Sequence, residues 1–104
     1  MSGANPLRGE VRLPMRDGAR LLRPSFEALV AAEAELGSLF QLLDRVVAGQ
    51  VQLGEMSALF WHCLGDRAAG EVRGDFEAGL LREGLSGLLP AYRALLSAVF
   101  KGVA

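Results

Sequence analysis

The sequence predicts an α+β domain, in which an N-terminal β-hairpin is followed by four or five short helices packed around one core. Two observations predict it. Apolar residues alternate with a period of two from Glu10 to Met15, and from Ser25 onward they recur at helical spacing between residues that cap helices. A chain of 104 residues, 51% apolar and 22% charged, suits a single domain. We assign residues 1–8 to a flexible tail and residues 9–104 to the domain.

The hairpin is predicted by two segments with a turn signal between them. The first strand places alternate side chains on one apolar face, namely Val11, Leu13 and Met15. Pro14 confines this strand to an edge or ends its pairing early, because proline has no N–H to donate. Asp17-Gly18 is typical of a hairpin turn, and residues 19–23 form the returning strand. Two strands are marginally stable alone, so the hairpin must rest on helices.

The first helix is predicted between Ser25, its N-cap, and Gly37, a left-handed C-terminal residue. One side of this helix is apolar, with Phe26, Leu29, Val30 and Leu36. Glu33 falls on the same side. Its carboxylate is expected to lie at the edge of that face, or to accept hydrogen bonds from an arginine or from hairpin backbone groups, or to contact another chain.

Two further helices follow. The second begins at Ser38, which has capping-box spacing to Gln41, and stops at Gly49. Its apolar stripe is Leu39, Leu42, Leu43, Val46 and Val47. The third ends at Gly65 and carries Leu53, Met56, Phe60, Cys63 and Leu64 at helical spacing.

The last two helices are predicted after a charged, glycine-rich loop over residues 66–74. Asp75 is expected to cap a short fourth helix that carries Phe76, Leu80 and Leu81. Pro90 suits the first turn of the last helix, where no backbone donor is needed. The apolar face of that helix is Tyr92, Leu95, Leu96, Val99, Phe100 and Val103.

The sequence predicts neither an enzyme nor a metal or cofactor site. His62 and Cys63 are the only histidine and cysteine, and neighbours on a helix point about 100° apart, so they cannot meet on one ion or act as a nucleophilic pair. No phosphate-binding loop of the G-x-G-x-x-G or P-loop type occurs. We expect Cys63 to be buried and His62 to be exposed, on the side of Glu55.

Charge and hydropathy restrict the partners. A net charge of −1 without blocks of like charge disfavours nucleic acid. One cysteine cannot form an intramolecular disulfide. No apolar run of about 18 residues and no apolar stretch near the N-terminus occur, so neither a membrane span nor secretion is expected. We expect a soluble cytoplasmic protein.

Aromatic residues at the helix margins are the candidate partner-binding residues. Trp61 lies about 100° from the core-facing Phe60, and Phe40 stands at the margin of the second helix near Val47. Either a third layer, such as the hairpin, covers both rings, or the rings form an exposed patch that anchors a protein–protein contact. The candidate set is Phe40, Val47, Trp61 and Glu33.

The order of several pieces resembles a family of small tail proteins from gene transfer agents and related siphophages. The pieces are RGEVRL (8–13), LRPSFEAL (22–29) followed by Glu33 and Gly37, a helix start of the form V-x-L-x-x-M (51–56), and EGLSGLLPAYRALL (83–96). The resemblance covers nearly the whole chain, from Arg8 to the end. Its strongest part is the turn from strand into helix at residues 22–29.

The resemblance implies a protein without catalytic activity. The family is labelled a tail tube protein and is also classed with tail assembly chaperones. A chaperone of this kind would bind the tape measure protein and deliver it to the major tail (tube) protein, and it could form a homo-oligomer. One alternative is a structural tail component retained in the particle. Two others are a small enzyme or metal protein that uses His62, Cys63 and Asp66, and a helical adaptor outside any phage context.

Overall fold

The computed structural model describes residues 9–102, so the tail predicted for residues 1–8 and the position of Val103 lie outside the described residues. The elements in chain order are β1 (Val11–Leu13), β2 (Arg20–Leu22), α1 (Phe26–Leu36), α2 (Leu39–Val47), α3 (Leu53–Cys63), α4 (Arg73–Glu83) and α5 (Leu85–Lys101). The predicted α+β architecture, a hairpin followed by helices, is confirmed.

The hairpin is short. β1 and β2 pair antiparallel, with Val11 opposite Leu22. β1 ends at the residue before Pro14, as the missing N–H of proline requires. The connection is longer than two residues, and the backbone N–H of Gly18, whose φ is 124°, donates a 3.1 Å hydrogen bond to the carbonyl of Met15.

The second edge of β2 pairs with the segment that follows α3. The backbone N–H of Gly65 donates a 2.8 Å hydrogen bond to the carbonyl of Leu21. Leu22 and Leu64 form an isolated antiparallel bridge. This pairing fixes the N-terminal hairpin to the middle of the chain.

Every helix and strand contributes to the core, and so does Leu64, which follows α3. The largest fully buried side chains of the core are Leu13, Leu22, Leu42, Met56, Leu59, Phe60, Cys63, Leu80, Leu88, Tyr92 and Leu95. The rings of Phe60 and Tyr92 meet edge to face at its centre, with centroids 5.7 Å apart. Since β1 packs on α5, the hairpin rests on the helices as expected.

The predicted buried face of α1 is wrong for two of its four residues, while Leu29 and Leu36 are partly buried against the core as predicted. The helix begins after its cap, Ser25, and ends at Gly37 as predicted. Its fully buried residue, however, is Ala32, whereas Phe26 is 82% exposed and Val30 is also exposed. α1 packs chiefly on α3, and a small alanine side chain allows the two helices to approach closely. This contact turns the side with Phe26 and Val30 toward solvent.

The stripes of α2 and α3 are largely as predicted. Ser38 caps α2, because its Oγ accepts a 3.3 Å hydrogen bond from the backbone N–H of Gln41. Leu39 and Leu42 are buried, but Val47, expected on the same stripe, is 79% exposed. In α3 the core-facing residues include Met56, Phe60 and Cys63, as predicted.

The predicted start of α4 is wrong by a few residues. The helix begins at Arg73 with Val72 as its N-cap. Asp75 therefore lies in the first turn, where its charge still favours the helix dipole, and it does not cap the helix. Phe76 and Leu80 are buried as predicted, whereas Leu81 is exposed.

The predicted start of α5 is also wrong. The helix begins at Leu85, and Pro90 is its sixth residue. Gly84, with a φ of 97°, lets the chain pass from α4 to α5 without a linker. The burial of Leu88 in the core favours helix before the proline. Pro90 cannot donate to the carbonyl of Ser86, so the helix tolerates one missing backbone hydrogen bond.

Candidate partner-binding site

An apolar groove of about 290 Å³ opens between α1, α2 and the C-terminal end of α5. It is lined by Phe26, Leu29, Val30, Glu33, Leu39, Phe40, Val99 and Phe100. Phe40 is 70% exposed, and its ring meets that of Phe100 edge on, with centroids 5.2 Å apart. We call this surface the phenylalanine groove.

Each phenylalanine of the groove stands at the end of a helix. Phe26 is the first residue of α1, Phe40 the second of α2, and Phe100 the next to last of α5. The serine caps Ser25 and Ser38 fix the first turns of α1 and α2. Phe26 follows Ser25 directly and Phe40 lies two residues after Ser38, so both rings project at the rim of the domain.

Glu33 lies on the groove and is tied to α2. Its Oε2 accepts a 2.9 Å hydrogen bond from the backbone N–H of Leu39, the first residue of α2. The residue is exposed, and its carboxylate accepts a hydrogen bond from a backbone group, as one of the predicted alternatives states. The donor, however, belongs to α2 and not to the hairpin. Among the lining residues Glu33 is the one that carries charge.

Val47 lies outside the groove, on the same helix as Phe40. It ends α2, seven residues after Phe40. Seven residues make nearly two full turns, so the two side chains point to the same side of α2, about 10 Å apart along its axis.

Trp61 lies in a different place. Its ring is partly buried and packs against that of Phe76 in α4, with centroids 5.9 Å apart. The guanidinium of Arg67 covers the ring at 4.6 Å from its centroid. The layer over Trp61 therefore consists of α4 and the loop before it. Trp61 is not among the residues that line the phenylalanine groove.

His62 is not exposed on the side of Glu55, so this prediction is wrong. Its side chain is 18% exposed, and its Nε2 lies 2.8 Å from Oε1 of Glu35 in α1. Glu55 instead pairs with Arg45. Glu35 also accepts hydrogen bonds of 2.8 and 2.7 Å from Arg73. The bonds from Arg73, and then that from His62, lower the pKa of Glu35 to about 2.

Cys63 is buried, as predicted. Burial raises the pKa of its thiol to about 12. A thiol that remains protonated is a poor nucleophile and a poor metal ligand. Within residues 9–102, no three His, Cys, Asp or Glu side chains lie where they could hold one metal ion.

A protein-family model described as "Phage tail tube protein, GTA-gp10" matches residues 8–102. The chain belongs to this family. It is therefore a tail protein of the phage and gene transfer agent type, and the family resemblance seen in the sequence is confirmed. Neither the curated proteins nor the solved structures contain a match to the chain. None of the helices described for this tail protein has the length and apolar character to cross a bilayer.

Part of the groove of this tail protein is predictable from its sequence. Phe40 and Glu33 are among the candidate partner-binding residues, whereas Phe26 and Val30 were expected in the core, where the structure does not place them. A comparison of the two apolar faces of α1 would have identified Phe26 and Val30 as candidates for exposure. The opposite face carries alanines, including Ala28 and Ala32, and small side chains suit close helix packing.

Proposed function

We propose that this tail protein is a non-catalytic assembly chaperone that binds the tape measure protein in the phenylalanine groove and delivers it to the major tail (tube) protein. The observation that carries the proposal is the largely exposed pair Phe26 and Phe40 beside an apolar groove. Large exposed apolar patches are uncommon on monomers, and buried aromatic rings are frequent hot spots of protein interfaces.

The shape and charge of the groove suit a helical client that must later be released. An amphipathic helix inserts apolar side chains at i, i+3, i+4 and i+7, and the groove between three helix ends offers a matching apolar floor. Glu33 is the one charged lining residue, and it already bonds to the backbone of Leu39. Few charged pairs would cross such a contact, so its strength would depend mainly on the buried apolar surface and little on salt.

The test is co-expression with the tape measure protein of the same tail gene cluster, followed by affinity capture. The double variant Phe26→Ser and Phe40→Ser removes two exposed rings, so the fold should remain intact. We expect capture to weaken by about tenfold or more, as hot-spot truncation does. Val72→Ser is the matched control, because Val72 is also exposed and apolar but lies at the start of α4, outside the groove. Full capture by the double variant would refute the groove as the client site.

A second candidate function is a structural tail component that remains in the particle, which the family description "tail tube protein" favours. The two functions differ in the location of the protein. A chaperone acts in the cytoplasm and is absent from mature particles, whereas a component is present in fixed stoichiometry. Quantitative mass spectrometry of purified particles separates them. Stoichiometric amounts of this chain would exclude a purely transient chaperone.

A further inference from the structure

A second depression, of about 380 Å³, lies between the start of α1, the end of α3 and the loop that follows it. It is lined by Arg23, Ser25, Glu27, Ala28, Ala31, His62, Leu64, Gly65 and Arg67. We call it the polar cleft. It shares no lining residue with the phenylalanine groove, and the proposed chaperone function makes no use of it.

Three nitrogen-bearing side chains from three separate parts of the fold converge on the polar cleft. Arg23 follows the hairpin, His62 belongs to α3, and Arg67 belongs to the loop. Arg23 is bonded through its Nε to Glu10, at 2.8 Å, and 47% of its side chain remains exposed. Glu27 is the carboxylate among the lining residues.

Arg67 is held in position by an aromatic stack. Its guanidinium lies 4.6 Å from the centroid of the Trp61 ring, and Trp61 is itself supported by Phe76. A guanidinium that stacks on an aromatic face is fixed in its plane, while its N–H edge stays available for hydrogen bonds. Less side-chain entropy is then lost when the arginine binds a ligand. Trp61 thereby acquires a role as the positioning residue of Arg67.

We propose that the polar cleft binds an acidic peptide segment of a partner protein, with Arg67 as the main contact and Arg23 as the second. Guanidinium groups form short, bidentate hydrogen bonds with carboxylates, and two arginines beside one cleft match two carboxylates of an extended acidic segment. Nucleic acid fits less well. Its phosphates require an extended basic surface, whereas the basic side chains that line the cleft are two arginines and one histidine.

The direct test uses a fluorescein-labelled hexaglutamate peptide, with hexaglutamine as the neutral probe of equal length. Binding is measured by fluorescence anisotropy at about 50 mM salt, where charge attraction is weakly screened. We expect hexaglutamate to bind about fivefold or more tightly than hexaglutamine, and to weaken as salt is raised. Trp61 is the one tryptophan of the sequence, so its emission, followed with unlabelled peptide, should change on saturation. Equal binding of the two peptides would overturn the proposal.

Variants assign the binding to the cleft. Arg67→Ala should remove most of the preference for hexaglutamate over hexaglutamine, and Arg67→Lys should give an intermediate value, since lysine keeps the charge but loses the planar fork. Trp61→Phe should weaken binding less than Arg67→Ala. Arg93→Ala is the control, because Arg93 is an exposed arginine of α5 outside the cleft. Far-UV circular dichroism verifies that each variant is folded.

Two further outcomes refute the proposal. One is wild-type affinity of Arg67→Ala for hexaglutamate. The other is tighter binding of a single-stranded hexanucleotide than of hexaglutamate, which would assign the cleft to phosphate. The double variant Phe26→Ser and Phe40→Ser should bind hexaglutamate like the wild type, so failure here and failure of the chaperone proposal remain distinguishable.

Discussion

The carboxylate of Glu33 accepts a hydrogen bond from the backbone N–H of Leu39, and this contact joins the last turns of α1 to the first turn of α2. The first N–H groups of a helix have no partner within the helix, so an acceptor from outside is stabilising. Leu39 is buried and its neighbour Phe40 is exposed, and both line the groove. The pair Glu33 and Leu39 thus fixes the spacing of the two helices that carry Phe26 and Phe40.

We expect Glu33→Ala to lower the free energy of unfolding by about 0.5–1 kcal/mol, because the N-terminal N–H of α2 loses its acceptor. Glu33→Gln should cost less, since the amide oxygen still accepts a hydrogen bond. Urea denaturation followed by far-UV circular dichroism measures both. Asp44→Ala, an exposed carboxylate further along α2, is the control. An unchanged stability of Glu33→Ala would contradict the capping role.

The stability of the protein should fall in acid over a pH range that is set by the pKa of Glu35. Hydrogen bonds from Arg73 and His62 lower the pKa of Glu35 from 4.5 to about 2, so its ionised form stabilises the fold. This contribution is complete above pH 4.5 and is lost as the pH falls toward 2. Because the side chain is 40% exposed, solvent screening limits the contribution to about 1 kcal/mol.

The matching measurement is denaturant unfolding of the wild type and Glu35→Gln at several pH values between about 6 and 3. The variant should be less stable at the upper end, and the difference should shrink toward the lower end. An equal difference at every pH would mean that the carboxylate charge of Glu35 does not stabilise the fold.

The thiol of Cys63 should serve as a probe of unfolding. It is buried and its pKa is raised to about 12, so little thiolate forms at neutral pH and reagents cannot reach it. We expect a disulfide reagent to label the native protein slowly and the protein in denaturant at once. Cys63 is the single cysteine of the chain, so each labelling event reports on this site. Rapid, complete labelling of the native protein would show that α3 opens without global unfolding.

Replacement by alanine should change the free energy of unfolding in opposite directions at Gly54 and Gly37. Gly54 lies in α3, and a methyl group added there meets no atom within 4 Å. Gly54→Ala should therefore raise the free energy of unfolding by about 0.5 kcal/mol, because alanine loses less backbone entropy in a helix. Gly37 has φ 81° and ψ −160°, a region that only glycine adopts readily. Gly37→Ala should lower stability by about 1–3 kcal/mol. Thermal unfolding measures the stability of both variants. A higher stability of Gly37→Ala would contradict the backbone geometry of this helix end.

Local chemistry made the helix boundaries near serine predictable. Ser25 and Ser38 cap α1 and α2 through the hydrogen bonds that their sequence positions indicate. The alternation over β1 placed Leu13 in the core, and Pro14 ended the strand. These features depend on a few neighbouring residues, so a single sequence contains their cause.

Tertiary packing decided what the sequence left open. Phe26 and Ala32 lie on different faces of α1, and both faces are apolar enough to be buried. The choice between them depends on α3, which no local pattern of α1 describes. Pro90 is a similar case, because the burial of Leu88 outweighs the loss of one backbone hydrogen bond. For this reason two of the eight groove residues, Phe40 and Glu33, were among the candidates from the sequence, whereas the exposed Phe26 and Val30 were not.

During translation the N-terminal hairpin emerges well before the strand segment that completes it. The backbone N–H of Arg23 donates a 2.6 Å hydrogen bond to the carbonyl of Cys63, a residue synthesised much later. At about 5–20 residues per second, the interval of about 40 residues lasts roughly 2–8 s. Two strands of three residues do not persist alone in water, so the beginning of the nascent chain cannot hold its structure during that interval. The hairpin is therefore fixed only after the ribosome has completed α3.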